Sequence, residues 1–127
     1  PLHGHELSLT ISPLEAGATW AVGWKKESFW GSRVLRAQKE SGNHRRLIAL
    51  TMRDRGIPRA AMKVEDVNGA EIGTVTSGTF SPTLKNGIGL ALVSKSISVG
   101  EEICIDIRGK MCGAEIKPVP LVPSHVR

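Results

Sequence analysis

The chain has 127 residues, 40% of them hydrophobic and 23% charged, and a formal net charge of +5; this length suits one domain, or at most about two small units, and can bury a core without staples. Near-average composition argues against disorder, and no apolar stretch approaches the ~20 residues of a membrane helix. The basic residues are dispersed apart from Lys25-Lys26 and His44-Arg45-Arg46, which suits a solvated basic face.

TWAVGW, residues 19 to 24, puts Trp20, Val22 and Trp24 on one side and small residues on the other, so a strand is expected there. Trp30, Val34, Leu35 and Gln38 then recur at near-helical spacing among Arg33, Arg36, Lys39 and Glu40. This predicts a helix over 30–41, closed by Gly42 in a left-handed conformation. RLIALTM (46–52) reads as a strand, and RDRGIP (53–58) as a turn. AAMKVED (60–66) and AEIGTVTS flank Asn68-Gly69, the strongest two-residue hairpin signal. IGLALVS (88–94), EICIDIRG (101–108) and MCGAEIKP (111–118) follow, with turns expected at Val99-Gly100 and Gly109-Lys110. Short strands at such even spacing indicate a small antiparallel barrel or sandwich, which must close or cover its edges.

One stretch, GTVTSGTFSPTL (73–84), breaks the β-pattern with small and hydroxyl-bearing residues. Glycine, proline and hydroxyls turn a chain sharply, and the same residues cradle anions; spacing leaves both readings open. His3-Gly4-His5 resembles a metal pair but lacks the further ligands of a tetrahedral site. Cys104 alternates with Ile103 and Ile105 with no histidine beside it in sequence, as a buried structural thiol does. With only Cys112 besides, no disulfide framework is expected, and two reduced thiols suit the cytosol. Glu65, Asp66, Glu101, Glu102 and Asp106 fall at turns and strand edges, where charge protects a strand from unwanted pairing; they form no acid-base dyad. Nucleic-acid binding by a small basic barrel is the alternative function, but it normally needs exposed aromatics to stack on bases, and residues 46–127 contain only Phe80. The chain opens on Pro1 without an initiator methionine or a secretory signal pattern, so a fragment or processed chain is expected.

Three blocks in order, ISPLEAGATWAVGW (11–24), FWGSRVL (29–35) and EIGTVTSGTFSPTLKNGIGLALV (71–93), resemble the C-terminal portion of the glycine cleavage system T proteins, which are aminomethyltransferases. The C-terminal halves of dimethylglycine and sarcosine dehydrogenases share these blocks more loosely. The resemblance implies a three-domain cloverleaf around tetrahydrofolate, which accepts an aminomethyl-derived carbon from the lipoyl arm of the H protein with release of ammonia. It implies a closed six-stranded antiparallel barrel over 46–127, preceded in 1–45 by a strand and helix from an adjacent folate-binding α+β region. The family's catalytic aspartate lies upstream, so no catalytic residue is expected here and the chain alone should be inactive. Two folate-binding candidates carry over: His3, where the family shows the tyrosine of Leu-Tyr-Gly, and Arg127, whose guanidinium suits a glutamyl carboxylate. No metal and no membrane partner are expected; the partners implied are the upstream domains and the lipoylated H protein. TSGTFSPTL is expected to hold a barrel corner with Phe80 packed inward or against a neighbouring domain. Trp20, Trp24 and Trp30 are expected to form an apolar patch that the upstream domains cover.

Overall fold

The computed structural model describes residues 1–94 and 97–123. Six strands, β1 (Arg46–Met52), β2 (Lys63–Glu65), β3 (Glu71–Ser81), β4 (Asn86–Val93), β5 (Glu102–Ile107) and β6 (Lys110–Lys117), close into an antiparallel barrel in the order β1-β4-β3-β2-β5-β6. Closure removes the sheet edges that a flat six-stranded sheet would expose. Every strand sends apolar side chains inward: Leu50 and Met52 from β1, Val64 from β2, Val75 from β3, Ala91 and Val93 from β4, Ile103 and Ile105 from β5, and Cys112, Ala114 and Ile116 from β6. Each large aliphatic side chain buried this way contributes roughly 1.5–3 kcal/mol. Branched residues facing alanines fill a narrow barrel without any aromatic ring.

The turns are built as their residues dictate. Between β2 and β3, Gly69 has φ 82°, and the Asp66 carboxylate accepts the amides of Asn68 and Ala70 at 2.8 and 2.9 Å. The β5–β6 turn falls on Arg108 and Gly109, both with positive φ, one residue earlier than expected. The two thiols are free. In the β5–β6 register Cys112 stands opposite Ile105 and Cys104 opposite Gly113; Cys112 is buried with the core while Cys104, between two inward isoleucines, is only half-buried.

The small residues of β3 and β4 have a specific cause. The loop after β1 crosses the end of the barrel, and its Pro58 is fully buried. A Cβ added at Gly78 would lie 2.3 Å from the Pro58 carbonyl oxygen, and one at Gly87 would lie 2.3 Å from that of Gly56. Side chains at these positions would displace the loop that plugs the barrel.

Two expectations are corrected. Residues 19–24 are not a strand: Thr19–Ala21 is a single 3-10 turn. Its amides are satisfied locally, Ala21 N–H on Ala18 O and Val22 N–H on Thr19 O, and the closed barrel offers no free edge for it to join. TSGTFS, by contrast, is strand throughout, since β3 runs on to Ser81 and the chain turns at 82–85. Helix α1 (Ser32–Ser41) lies within the predicted span, and Gly42 caps it with φ 59° and its amide on Gln38 O. No residue of α1 is buried.

Candidate functional site

The N-terminal segment is attached to the barrel by two buried carboxylates. Ser12 and Glu15 form a reciprocal pair at the start of one helical turn: the Ser12 amide donates to Glu15 Oε2 at 2.9 Å and the Glu15 amide to Ser12 Oγ at 3.3 Å. Glu15 also accepts Arg45 Nε on Oε1 at 2.9 Å, while Arg45 Nη2 reaches Thr10 O at 3.0 Å. The Leu47 amide on Glu15 O completes the attachment to β1. Burial works to raise the Glu15 pKa, but the Arg45 guanidinium and the Ser12 amide together hold it below the usual glutamate range.

The second carboxylate, Glu6, is 1% exposed in a loop whose other residues from 1 to 7 are exposed. The loop closes on itself through Gly4 N–H to Leu7 O at 2.8 Å and His5 N–H to Leu2 O at 3.1 Å. Glu6 Oε2 accepts the Leu2 amide at 2.7 Å, and Oε1 has no hydrogen-bond partner. Burial acts to raise the Glu6 pKa. The hydroxyls of Thr76 and Ser77 and the backbone amides of Leu2 and Glu6 outweigh it, so the carboxyl stays below its ordinary value. The ring of His5 adds a link, with Nδ1 2.9 Å from Thr76 O. Thr76 is the extra residue of a bulge between Val75 and Ser77 in the β3–β4 pairing; such a bulge re-aims side chains locally.

His3 lies on the exposed part of this loop, between the Leu2 amide held by Glu6 and Gly4 at φ 87°. Arg127, the other folate candidate, lies outside the described residues. Among the described residues no three His, Cys, Asp or Glu side chains gather as a metal site, and no helix is long and apolar enough to cross a membrane.

Beside the loop, Ser77, Thr79, Ile88, Leu90 and Leu121 line a hollow of about 220 Å³. At the end of the barrel a cleft of about 620 Å³ carries Arg53, Asp54, Arg55, Phe80, Lys85 and Asn86 along its walls. Phe80 is 48% exposed there, so it does not pack inward. Arg53 pairs with Glu102. Trp20 and Trp30 stand almost wholly in solvent, as do Leu9 and, in α1, much of Val34. Trp24 differs: its indole N–H donates to Thr19 O at 2.9 Å and Lys39 Nζ lies 4.4 Å over its ring.

Sequence reasoning missed both anchoring carboxylates. Ser12-Pro13-Leu14-Glu15 does carry the S-x-x-E spacing of a capping box, a signal that was there to find. Glu6 had none, because the bulge that its loop meets lies about 70 residues away.

Comparison with known proteins supplies the frame for these features. The family described as the glycine cleavage T-protein C-terminal barrel domain matches residues 45–123. An aminomethyltransferase of Parafrankia sp. is 50% identical over 127 residues, covering 100% of this chain and 35% of its own length. One of Geobacillus thermodenitrificans is 53% identical over 122 residues, covering 94% and 33% respectively. The crystal structure of the glycine cleavage system aminomethyltransferase T from Bartonella henselae superimposes with a TM-score of 0.88 at 28% identity, over 96% of this chain and 35% of that one. The chain therefore spans about a third of the length of the curated relatives it matches.

Proposed function

The chain belongs to the glycine cleavage T-protein C-terminal barrel family, and from this we propose that it is the C-terminal third of a cytoplasmic, tetrahydrofolate-dependent aminomethyltransferase. The observation that carries the reading is the match of the barrel to that family together with the agreement in fold along nearly the whole chain. In this reading residues 46–127 form the C-terminal barrel and residues 1–45 are the end of the preceding folate-binding region. The solvent-facing Trp20, Trp30, Leu9 and Val34 support that division, because large apolar side chains left in solvent suit an interface.

When bound, tetrahydrofolate supplies the amine that takes up the one-carbon unit from the lipoylated H protein. The described residues fit one side of such a cavity: a mainly apolar hollow between Ser77, Thr79, Ile88 and Leu90, and the loop that presents His3. His3 would offer a ring nitrogen to the folate, and Arg127 a guanidinium to its glutamyl carboxylate. The groups that hold the reacting atoms together lie upstream, and without them positioning is lost. The comparisons give no support to the nucleic-acid alternative.

The test is an assay of the purified chain with aminomethylated lipoyl carrier and tetrahydrofolate. No turnover is expected from the chain alone, with turnover appearing when the upstream two-thirds of the enzyme is joined to it. Turnover by the chain alone would overturn the assignment of the chemistry to upstream groups, and none from the joined protein would overturn the activity.

A further inference from the structure

We propose that Glu6 is a positioning residue: buried beneath the N-terminal loop and holding the Leu2 amide, it sets the conformation of the Leu2-His3-Gly4 turn and thereby the presentation of His3. The proposal rests on the reading of His3 as a folate contact and names what holds it in place.

The argument begins with an imbalance. A carboxylate buried to 1% exposure with Oε1 unpartnered costs stability relative to an apolar residue of the same size. It stands outside the barrel's core cluster, which is aliphatic throughout apart from sulfur. What the carboxylate does organise is local. Oε2 takes the Leu2 amide at 2.7 Å, the residue directly before His3, and so draws the two ends of the loop together. The nearby hydroxyls of Thr76 and Ser77 favour its charged form, while Oε1 itself closes no hydrogen bond.

Consecutive residues of a regular strand point to opposite faces, so one carboxylate could not lie near both. The bulge at Thr76 removes that restriction. Thr76 Oγ1 also donates to Leu90 O at 3.1 Å. A hydroxyl has a single proton, so that of Thr76 is committed to Leu90 O, and Glu6 Oε1 is left without a donor. His5 Nδ1 at 2.9 Å from Thr76 O attaches the loop a second time to the same bulge. The Thr-Ser pair of TSGTFSPTL thus lies at the bulge to which the N-terminal loop is attached, a place that neither a ligand cradle nor a corner explains.

The test compares Glu6→Ala, Glu6→Gln, Ser77→Ala and His3→Ala. In the 127-residue chain, Glu6→Ala is expected to speed amide exchange at Leu2 and His5 about tenfold, as loss of a charge-assisted hydrogen bond implies, while Leu50 and Ile105 keep their protection. Glu6→Gln, which retains an acceptor for the Leu2 amide, should restore part of it, and Ser77→Ala should resemble Glu6→Ala in milder form. In the full-length aminomethyltransferase carrying this chain, Glu6→Ala should raise the tetrahydrofolate KM about tenfold with kcat within about twofold, the pattern of lost ground-state binding. Unchanged exchange at Leu2 in Glu6→Ala overturns the clamp. Loss of core protection in both Glu6→Ala and Glu6→Gln overturns it too, by making Glu6 a residue of barrel stability. A loosened loop with unchanged KM overturns the positioning role alone if His3→Ala raises KM, and overturns the folate reading of His3 as well if His3→Ala leaves KM unchanged.

Discussion

Replacing Gly78 by alanine separates two explanations of the glycine in TSGTFSPTL. Glycine inside a strand is less favourable than alanine by roughly 0.5–1 kcal/mol because it loses more backbone freedom on folding; on propensity alone the variant is more stable than the parent. The tertiary contact reverses the sign. The new Cβ would sit 2.3 Å from Pro58 O, 2.8 Å from Pro58 C and 3.0 Å from its Cγ. Relief requires the plugging loop to move by about an ångström, away from a position in which Pro58 is fully buried. Overpacking of this kind costs about 1–3 kcal/mol. The Arg59 Nη1 to Gly78 O hydrogen bond at 3.2 Å shifts with the loop, and losing it adds roughly 0.5–1 kcal/mol. With the propensity gain subtracted, a net loss of about 2 kcal/mol is expected, which for a domain of this size lowers Tm by roughly 5–10 °C. The assay is thermal and urea unfolding followed by circular dichroism. Gly69→Ala serves as the comparison: a Cβ there meets nothing within 4 Å, but φ is +82°, so it should cost about 1–2 kcal/mol through conformation alone. A Gly78→Ala protein as stable as the parent, or more stable, would refute the reasoning and leave propensity as the explanation.

Arg45→Met should loosen residues 8–16 by about 1–2 kcal/mol, a figure reduced because the Arg45 side chain is half exposed; amide exchange at Ala16 and Leu47 measures it. Since the Glu15 pKa lies below its ordinary 4.5, this contribution is complete above that pH and is lost as pH falls through the lowered value, so parent and variant should converge in acid. Trp20 and Trp30, 87% and 103% exposed, should give red-shifted, readily quenched emission in the isolated chain, with a blue shift when the upstream two-thirds is joined; an unchanged spectrum would count against their burial in that interface. A thiol reagent should modify Cys104 well before Cys112, because only Cys112 is fully buried; equal rates in the folded chain would contradict the barrel register.

The amino-acid order alone determined those elements whose physics is local. RLIALTM coincides with β1, whose Leu50 and Met52, two positions apart, both join the core, Asn68-Gly69 supplies the positive φ that a tight hairpin needs, and Gly42 ends α1 in the left-handed conformation. The ordered blocks around TSGTFSPTL were enough to identify the family. Residues 19–24 show the limit: Trp20, Val22 and Trp24 alternate as a strand would, but alternation makes a strand only where a partner edge is free, and the barrel closes on itself through β1 and β6. The attachments around the candidate site were equally out of reach. Glu15 meets Arg45 across 30 residues, and the loop carrying Glu6 meets the bulge at Thr76 across about 70. The bulge exists only because β3 and β4 slip by one residue in register. Which loop is attached to which strand is decided by strand pairing and contacts over long separations, where no local preference of the chain can act.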